Sequence, residues 1–203
     1  MNRVVFPAVA SAAVVFFLIV SGCSPADRTS RDGPDAAPGG APEYGFDVDE
    51  QLLGSRVVYA DVGLSLAAPT DWQPLDADAR GALEEILADT ATAGLEGARL
   101  LDLFLSESQT SALSVFALDK AAVPSEVAAA IAAQTPGSDR AVFRYAGLEF
   151  TQVRSVLDNL VSFALIARVA DRPPVLLQYV VASEGAESAM RAVESSIGSI
   201  RPE

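Results

Sequence analysis

Residues 141–182 read AVFRYAGLEFTQVRSVLDNLVSFALIARVADRPPVLLQYVVA. This stretch decides the fold, because four β-rich runs are separated by turn chemistry: Ala141–Ala146, Leu148–Val156, Leu160–Val169 and Pro174–Ala182. Tyr145-Ala146-Gly147, Leu157-Asp158-Asn159 and Asp171–Pro174 supply the turns. Leu148, Phe150 and Gln152 alternate with Glu149, Thr151 and Val153, whereas alternation is lost over Leu160–Ala167. The latter run reads as a central strand covered on both faces. Strands joined by such short turns pair antiparallel.

The same reading extends outward. Pro124 and Ser125 open a helix that runs to about Gln134 and is stopped by Pro136-Gly137. Strands are expected at Arg99–Ser106 and Ala112–Leu118, joined by Glu107–Ser111. A helix over about Ala77–Thr92 carries the stripe Ala79, Ala82, Leu83, Ile86 and Leu87, with Asp76 placed to cap it. A hairpin of Arg56–Tyr59 and Gly63–Ala67 precedes it, ended by Pro69-Thr70-Asp71-Trp72. A last helix, about Glu184–Ile197, buries Ala186, Ala189, Met190, Val193 and Ile197 and sets Glu187 against Arg191 at i,i+4. The order ββαββαββββα makes residues 51–203 a single α+β domain with an antiparallel sheet of about six strands and helices packed on it. Trp72 admits two readings, an exposed ligand platform or an apolar plug in the core. The plug is favoured, because a lone Trp in a small domain usually anchors its core.

The run Tyr59-x-x-x-Gly63-Leu64-Ser65-Leu66-x-x-Pro69-x-x-Trp72 resembles the opening hairpin of Mog1/PsbP-like domains. The closing Val193-x-Ser195-Ser196-Ile197-x-Ser199-Ile200 resembles their terminal helix and last extended segment. The spacing from Pro69 to Trp72 is one residue longer than the usual Pro-x-Trp. The resemblance implies an α-β-α sandwich and a role as a binding or assembly factor, with no catalytic motif to carry over.

At the amino-terminal end, Arg3 precedes an apolar stretch from Val4 to Val20 that Pro7 interrupts, leaving Ala8–Val20 as an apolar run. That run is shorter than the roughly 20 residues a membrane-spanning helix needs. Val20-Ser21-Gly22-Cys23 then resembles the lipobox of bacterial lipoprotein signal peptides. The resemblance implies residues 1–22 as a signal peptide, cleavage after Gly22 and diacylglycerol on the Cys23 sulfur. The alternative is an uncleaved signal anchor with an incidental cysteine. Residues 23–50 read as a flexible Pro/Gly-rich tether with Pro25, Pro34, Pro38 and Pro42, spanning on the order of 30 Å as a coil. Tyr44 and Phe46 are the tether's large apolar side chains, able to dock back onto the domain.

Cys23 is the one cysteine of the chain, so no disulfide can form within it. The chain contains no histidine, which removes Ser-His-Asp and Cys-His nucleophile systems and His-ligated zinc. Lys120 is the one lysine and no P-loop surrounds it. Gly94-Leu95-Glu96-Gly97 follows a helix and precedes a strand, the wrong order for a dinucleotide fingerprint. Glu84, Glu85 and Asp89 fall on the wet face of their helix, where a solvated role is favoured over paired-acid catalysis. Arg144, Arg154 and Arg168 lie in or beside strands. They form either a small anion-binding patch or, as favoured, cross-strand pairs with Glu149 and similar acids.

Loss of residues 1–22 removes Arg3 and no acid, moving the formal net charge from −13 to −14. Such a domain is repelled by nucleic acid and anionic head groups. The expected protein is a non-enzymatic binding or assembly module of the cell envelope, membrane-bound through lipid on Cys23 and facing away from the cytoplasm. It is expected to use no cofactor or metal, to bind no nucleic acid and to meet a protein partner. If an outer membrane exists, Ser24 after the cysteine favours sorting to it, by resemblance to known sorting rules; otherwise the outer face of the plasma membrane holds it. The rivals are a small-molecule carrier with an apolar pocket and a carboxylate-dependent hydrolase.

Overall fold

The computed structural model describes residues 40–89, 95, 97–183 and 186–203. The four C-terminal runs form strands: β6 (Asp139–Tyr145), β7 (Leu148–Leu157), β8 (Leu160–Ala167) and β9 (Val175–Ala182). Ala146 and Gly147, at φ 50° and 77°, make the tight β6–β7 turn that keeps Tyr145 opposite Leu148. Before them come β1 (Leu53–Tyr59), β2 (Leu64–Pro69), β3 (Trp72–Pro74), β4 (Arg99–Ser106) and β5 (Ala112–Ala117). The helices are α1 (Ala77–Asp89), α2 (Pro124–Gln134) and α3 (Ala186–Gly198), and β10 (Arg201–Pro202) closes the chain. Asp76 caps α1, its carboxylate accepting from the Ala79 amide at 2.8 Å.

Two sheets result, where the sequence reading expected one. Seven antiparallel strands run in the order β3-β4-β5-β9-β8-β7-β6, and β1-β2-β10 form a separate three-stranded sheet. Pairing of β5 with β9 places the β6–β9 meander beside the β4–β5 hairpin. The large sheet is buried on both faces. On one side Leu103, Phe116, Ile166 and Leu176 pack with Val127 and Ala128 of α2. On the other, Phe150, Leu165, Leu177 and Tyr179 pack with Leu64 and Leu66 of the small sheet and with Val193 and Ile197 of α3. The molecule is thus an α+β domain with layers on both faces of an antiparallel sheet.

The two coverings do not coincide along β7. Leu148 and Phe150 are buried on the α3 side, whereas Val153 and Ser155 are buried on the α2 side. The expected simple alternation therefore changes face midway through the strand. The α3 side of Gln152, Arg154 and Val156 is left accessible, and Val156 is 51% exposed.

Candidate functional site

Where α3 stops covering the sheet, an apolar groove of about 390 Å³ opens toward β6, β7 and β8. Phe143 of β6 and Phe163 of β8 line it from the sheet, and Met190, Val193 and Ile197 from α3. Register explains the floor: Phe143 sits opposite Phe150, and Phe163 opposite Arg154. The remaining wall is Phe46, from the run that precedes the first strand. Its ring stands edge-on to Tyr145, centroids 4.8 Å apart, and Phe143 stacks on Phe150 at 5.3 Å. The rim is polar, made by Gln152 and by Glu187, Arg191 and Glu194 of α3.

Residues 42–49, expected within the tether, lie along the body as a strap. The Tyr44 amide donates to the Arg144 carbonyl and the Arg144 amide to the Pro42 carbonyl, both at 2.8 Å, so this run adds a parallel bridge to the edge of β6. Further on, the Asp49 amide donates to Ser195 Oγ at 3.1 Å. Gly198 makes the approach possible, because a Cβ there would stand 2.5 Å from Val48 Cγ2 and 2.8 Å from Phe46 Cβ. Asp49 also takes Arg191, at 3.7 Å. This corrects the expected Glu187–Arg191 pair: the arginine turns across to the strap and leaves both helix glutamates without an ion-pair partner among the described residues.

Trp72 is buried in the core, as the plug reading required, and its strand pairs with β4 through Ser106. The three arginines do not converge. Arg144 meets Glu149 at 3.4 Å and Arg154 meets Asp139 at 3.8 Å, facing pairs near opposite ends of the β6–β7 ladder. Arg168 donates to the carbonyls of Lys120 and Ala122, at 3.0 and 2.6 Å. The cross-strand pairs are present for the first two, and Arg168 instead fastens the loop before α2. Glu84 and Glu85 are exposed on α1. Gly97 has φ +72°, the left-handed geometry that glycine adopts without a steric penalty. Cys23 and the lipobox, together with most of the tether, lie outside the described residues. Among the described residues no cluster of acids could hold a metal, and no helix is long and apolar enough to cross a membrane.

Sequence reading missed the polar network under β2. Ser65, Ser195, Ser196 and Ser199 are all buried. Ser196 Oγ donates to the Ala67 carbonyl at 2.7 Å, while the Ala67 amide donates to Ser199 Oγ at 2.8 Å. Arg56 donates to Ser65 Oγ and to the Ser199 carbonyl, at 3.0 and 2.8 Å. The end of α3 thereby takes hydrogen-bonding groups of β2, which fixes the helix that walls the groove. The signal was present in the spacing Ser195-Ser196-x-x-Ser199, where neighbouring Val193, Ile197 and Ile200 mark the region as core.

No family model and no curated protein matches the sequence. Solved structures do. One is the solution structure of cyanobacterial PsbP (CyanoP) from Synechocystis sp. PCC 6803, at TM-score 0.46 and 13% identity, covering 86% of this chain and 100% of that one. Another is a crystal structure from Bacteroides thetaiotaomicron VPI-5482, at TM-score 0.45 and 11% identity, covering 74% of this chain. The aligned part spans 48% of the Bacteroides chain. These are similarities of shape and carry no activity with them.

Proposed function

We propose that this chain is a lipid-anchored, non-enzymatic binding or assembly module of a bacterial cell envelope, with a Mog1/PsbP-like domain that faces away from the cytoplasm. The observation that carries the anchor is Val20-Ser21-Gly22-Cys23 placed directly after the apolar run. Attachment at Cys23 leaves sixteen residues between the lipid and Gly40, where the described structure begins. Sixteen residues behaving as the Pro/Gly-rich composition implies would span on the order of 20 Å. The domain then stands near the membrane while its acidic surface keeps it off anionic head groups. The groove beside Phe46 is the surface it presents.

The groove also favours a second reading, a small-molecule carrier, because its walls are mostly apolar side chains. Replacing Cys23 with Ser separates the anchor from what the groove does. The expected result is loss of palmitate labelling and release of the protein from membranes. A C23S chain that stays membrane-bound and labelled overturns the proposal. Saturable uptake of a fluorescent fatty acid, blocked by M190E, selects the carrier.

A further inference from the structure

We propose that the groove receives an extended segment of a partner protein in which two basic side chains, three residues apart, flank apolar ones. This rests on the binding-module reading and names the occupant of the same groove.

Three observations lead to it. Glu187 and Glu194 stand on the groove's rim, exposed and without an ion-pair partner among the described residues. The cation between them, Arg191, is drawn to Asp49, so its charge is met from the other side. Facing α3 across the groove, the rim residue is uncharged Gln152, and the next cation outward, Arg154, is paired with Asp139.

Spacing then sets the ligand's form. Glu187 and Glu194 are two helical turns apart, about 10.5 Å along the axis at the α-helical rise. Three residues of an extended chain in the polyproline II conformation cover about 9 Å and bring the side chain back to the same side. A segment of the pattern basic-apolar-apolar-basic, laid alongside α3 in that conformation, therefore places a cation at each carboxylate and turns an apolar side chain in between Phe163 and Met190. An acyl chain in the same place would leave part of its length in water, since the groove is half open, and would make no use of the two carboxylates. The net charge of −13 favours encounter with a basic segment over an acidic one.

The test uses the full-length lipidated protein in detergent micelles and a fluorescein-labelled peptide, Gly-Lys-Leu-Phe-Lys-Gly, with a counterpart carrying Glu for both Lys. The expected result is binding of the Lys peptide that weakens as salt is raised and little binding of the Glu peptide. The double variant E187K/E194K, altered only at exposed positions, is expected to invert that preference by about tenfold or more. Equal affinity for the two peptides, or a preference that E187K/E194K leaves unchanged, overturns the proposal. Displacement of the bound Lys peptide by sub-stoichiometric palmitate overturns it in favour of a lipid occupant. A photo-crosslinker at Gln152 distinguishes the two levels. If it captures a protein in membranes whose capture is indifferent to E187K/E194K, the charged occupant is wrong and the binding module stands. If it captures none and the peptide does not bind, both fall.

Discussion

Tyr179 Oη and Ser196 Oγ lie 2.9 Å apart in the fully buried layer between β9 and α3. Because the serine's proton goes to the Ala67 carbonyl, the phenol must be the donor in this pair. Sheet, helix and small sheet are thus joined by one directed chain, Tyr179 to Ser196 to Ala67. The two ends of that chain are not equivalent. Tyr179→Phe removes a donor yet leaves Ser196 bonded to Ala67, and is expected to cost about 1 kcal/mol. Ser196→Ala strands both a buried phenol and one carbonyl bond, and is expected to cost about 1–3 kcal/mol. Urea denaturation of both variants checks the order. A Tyr179→Phe variant less stable than Ser196→Ala contradicts the assigned direction.

Alkali attacks the same layer. Burial raises the Tyr179 phenol above its ordinary value of 10.0, the hydrogen bond with Ser196 offsetting only part of this. The Tyr59 phenol is likewise raised, by burial first and then by the neighbouring Asp102 carboxylate, 3.4 Å away. Between the unfolded and folded values the native state holds protons that the unfolded chain has released. The stabilisation is therefore complete below the unfolded value and is lost as pH rises toward the folded one. Stability measured in urea should hold at about pH 8 and fall steadily above about pH 10. Tyr179→Phe should flatten that fall; an unchanged slope in the variant would remove this tyrosine from the account.

Gly198 is the notch that the strap crosses. Gly198→Ala forces Phe46 and Val48 away from the end of α3, since the new methyl meets both inside van der Waals contact. Relief by strap release should cost about 1–3 kcal/mol. Hydrogen exchange should show lost protection at the Tyr44 and Asp49 amides, with the amides of β8 and β9 unaffected. Equal loss across the sheet would mean that the strap is not a separable part.

Much of the fold was legible because local chemistry and tertiary structure agree. Pro124 at the start of α2, Asp76 at the start of α1, and the Ala146-Gly147 turn each impose a boundary on their own neighbours, and each boundary appears where expected. What escaped was set by distant residues. Trp72–Pro74 and Arg201–Pro202 are too short to carry a period of two, and they become strands only because Ser106 and Ser65 face them. The division into two sheets depends on β2 pairing with β10 on its far side, a choice that no run of β2 itself encodes. The change of buried face within β7 follows from which helix lies over which half of the strand. The groove was hidden for the same reason. Phe143, Phe163 and Met190 lie in runs that read as ordinary strand or helix and Phe46 in the tether, and only the limited reach of α3 leaves Phe163 and Met190 partly open above the buried Phe143. Glu187 was legible as a surface acid, but its lack of a partner depended on Asp49, 142 positions before Arg191 in the chain.

The strap gives the groove a mechanical character. Residues 42–44 run parallel to β6 and are held there by two backbone hydrogen bonds, and the next large side chain, Phe46, is a wall of the groove. A pull from the amino-terminal side loads those two bonds first and Phe46 directly after them. Were Cys23 held as proposed, tension would reach Phe46 before the walls of the groove that α3 and the sheet supply. The strap and the groove therefore share one side chain, so release of residues 42–44 removes a wall without altering any residue of the sheet or of α3.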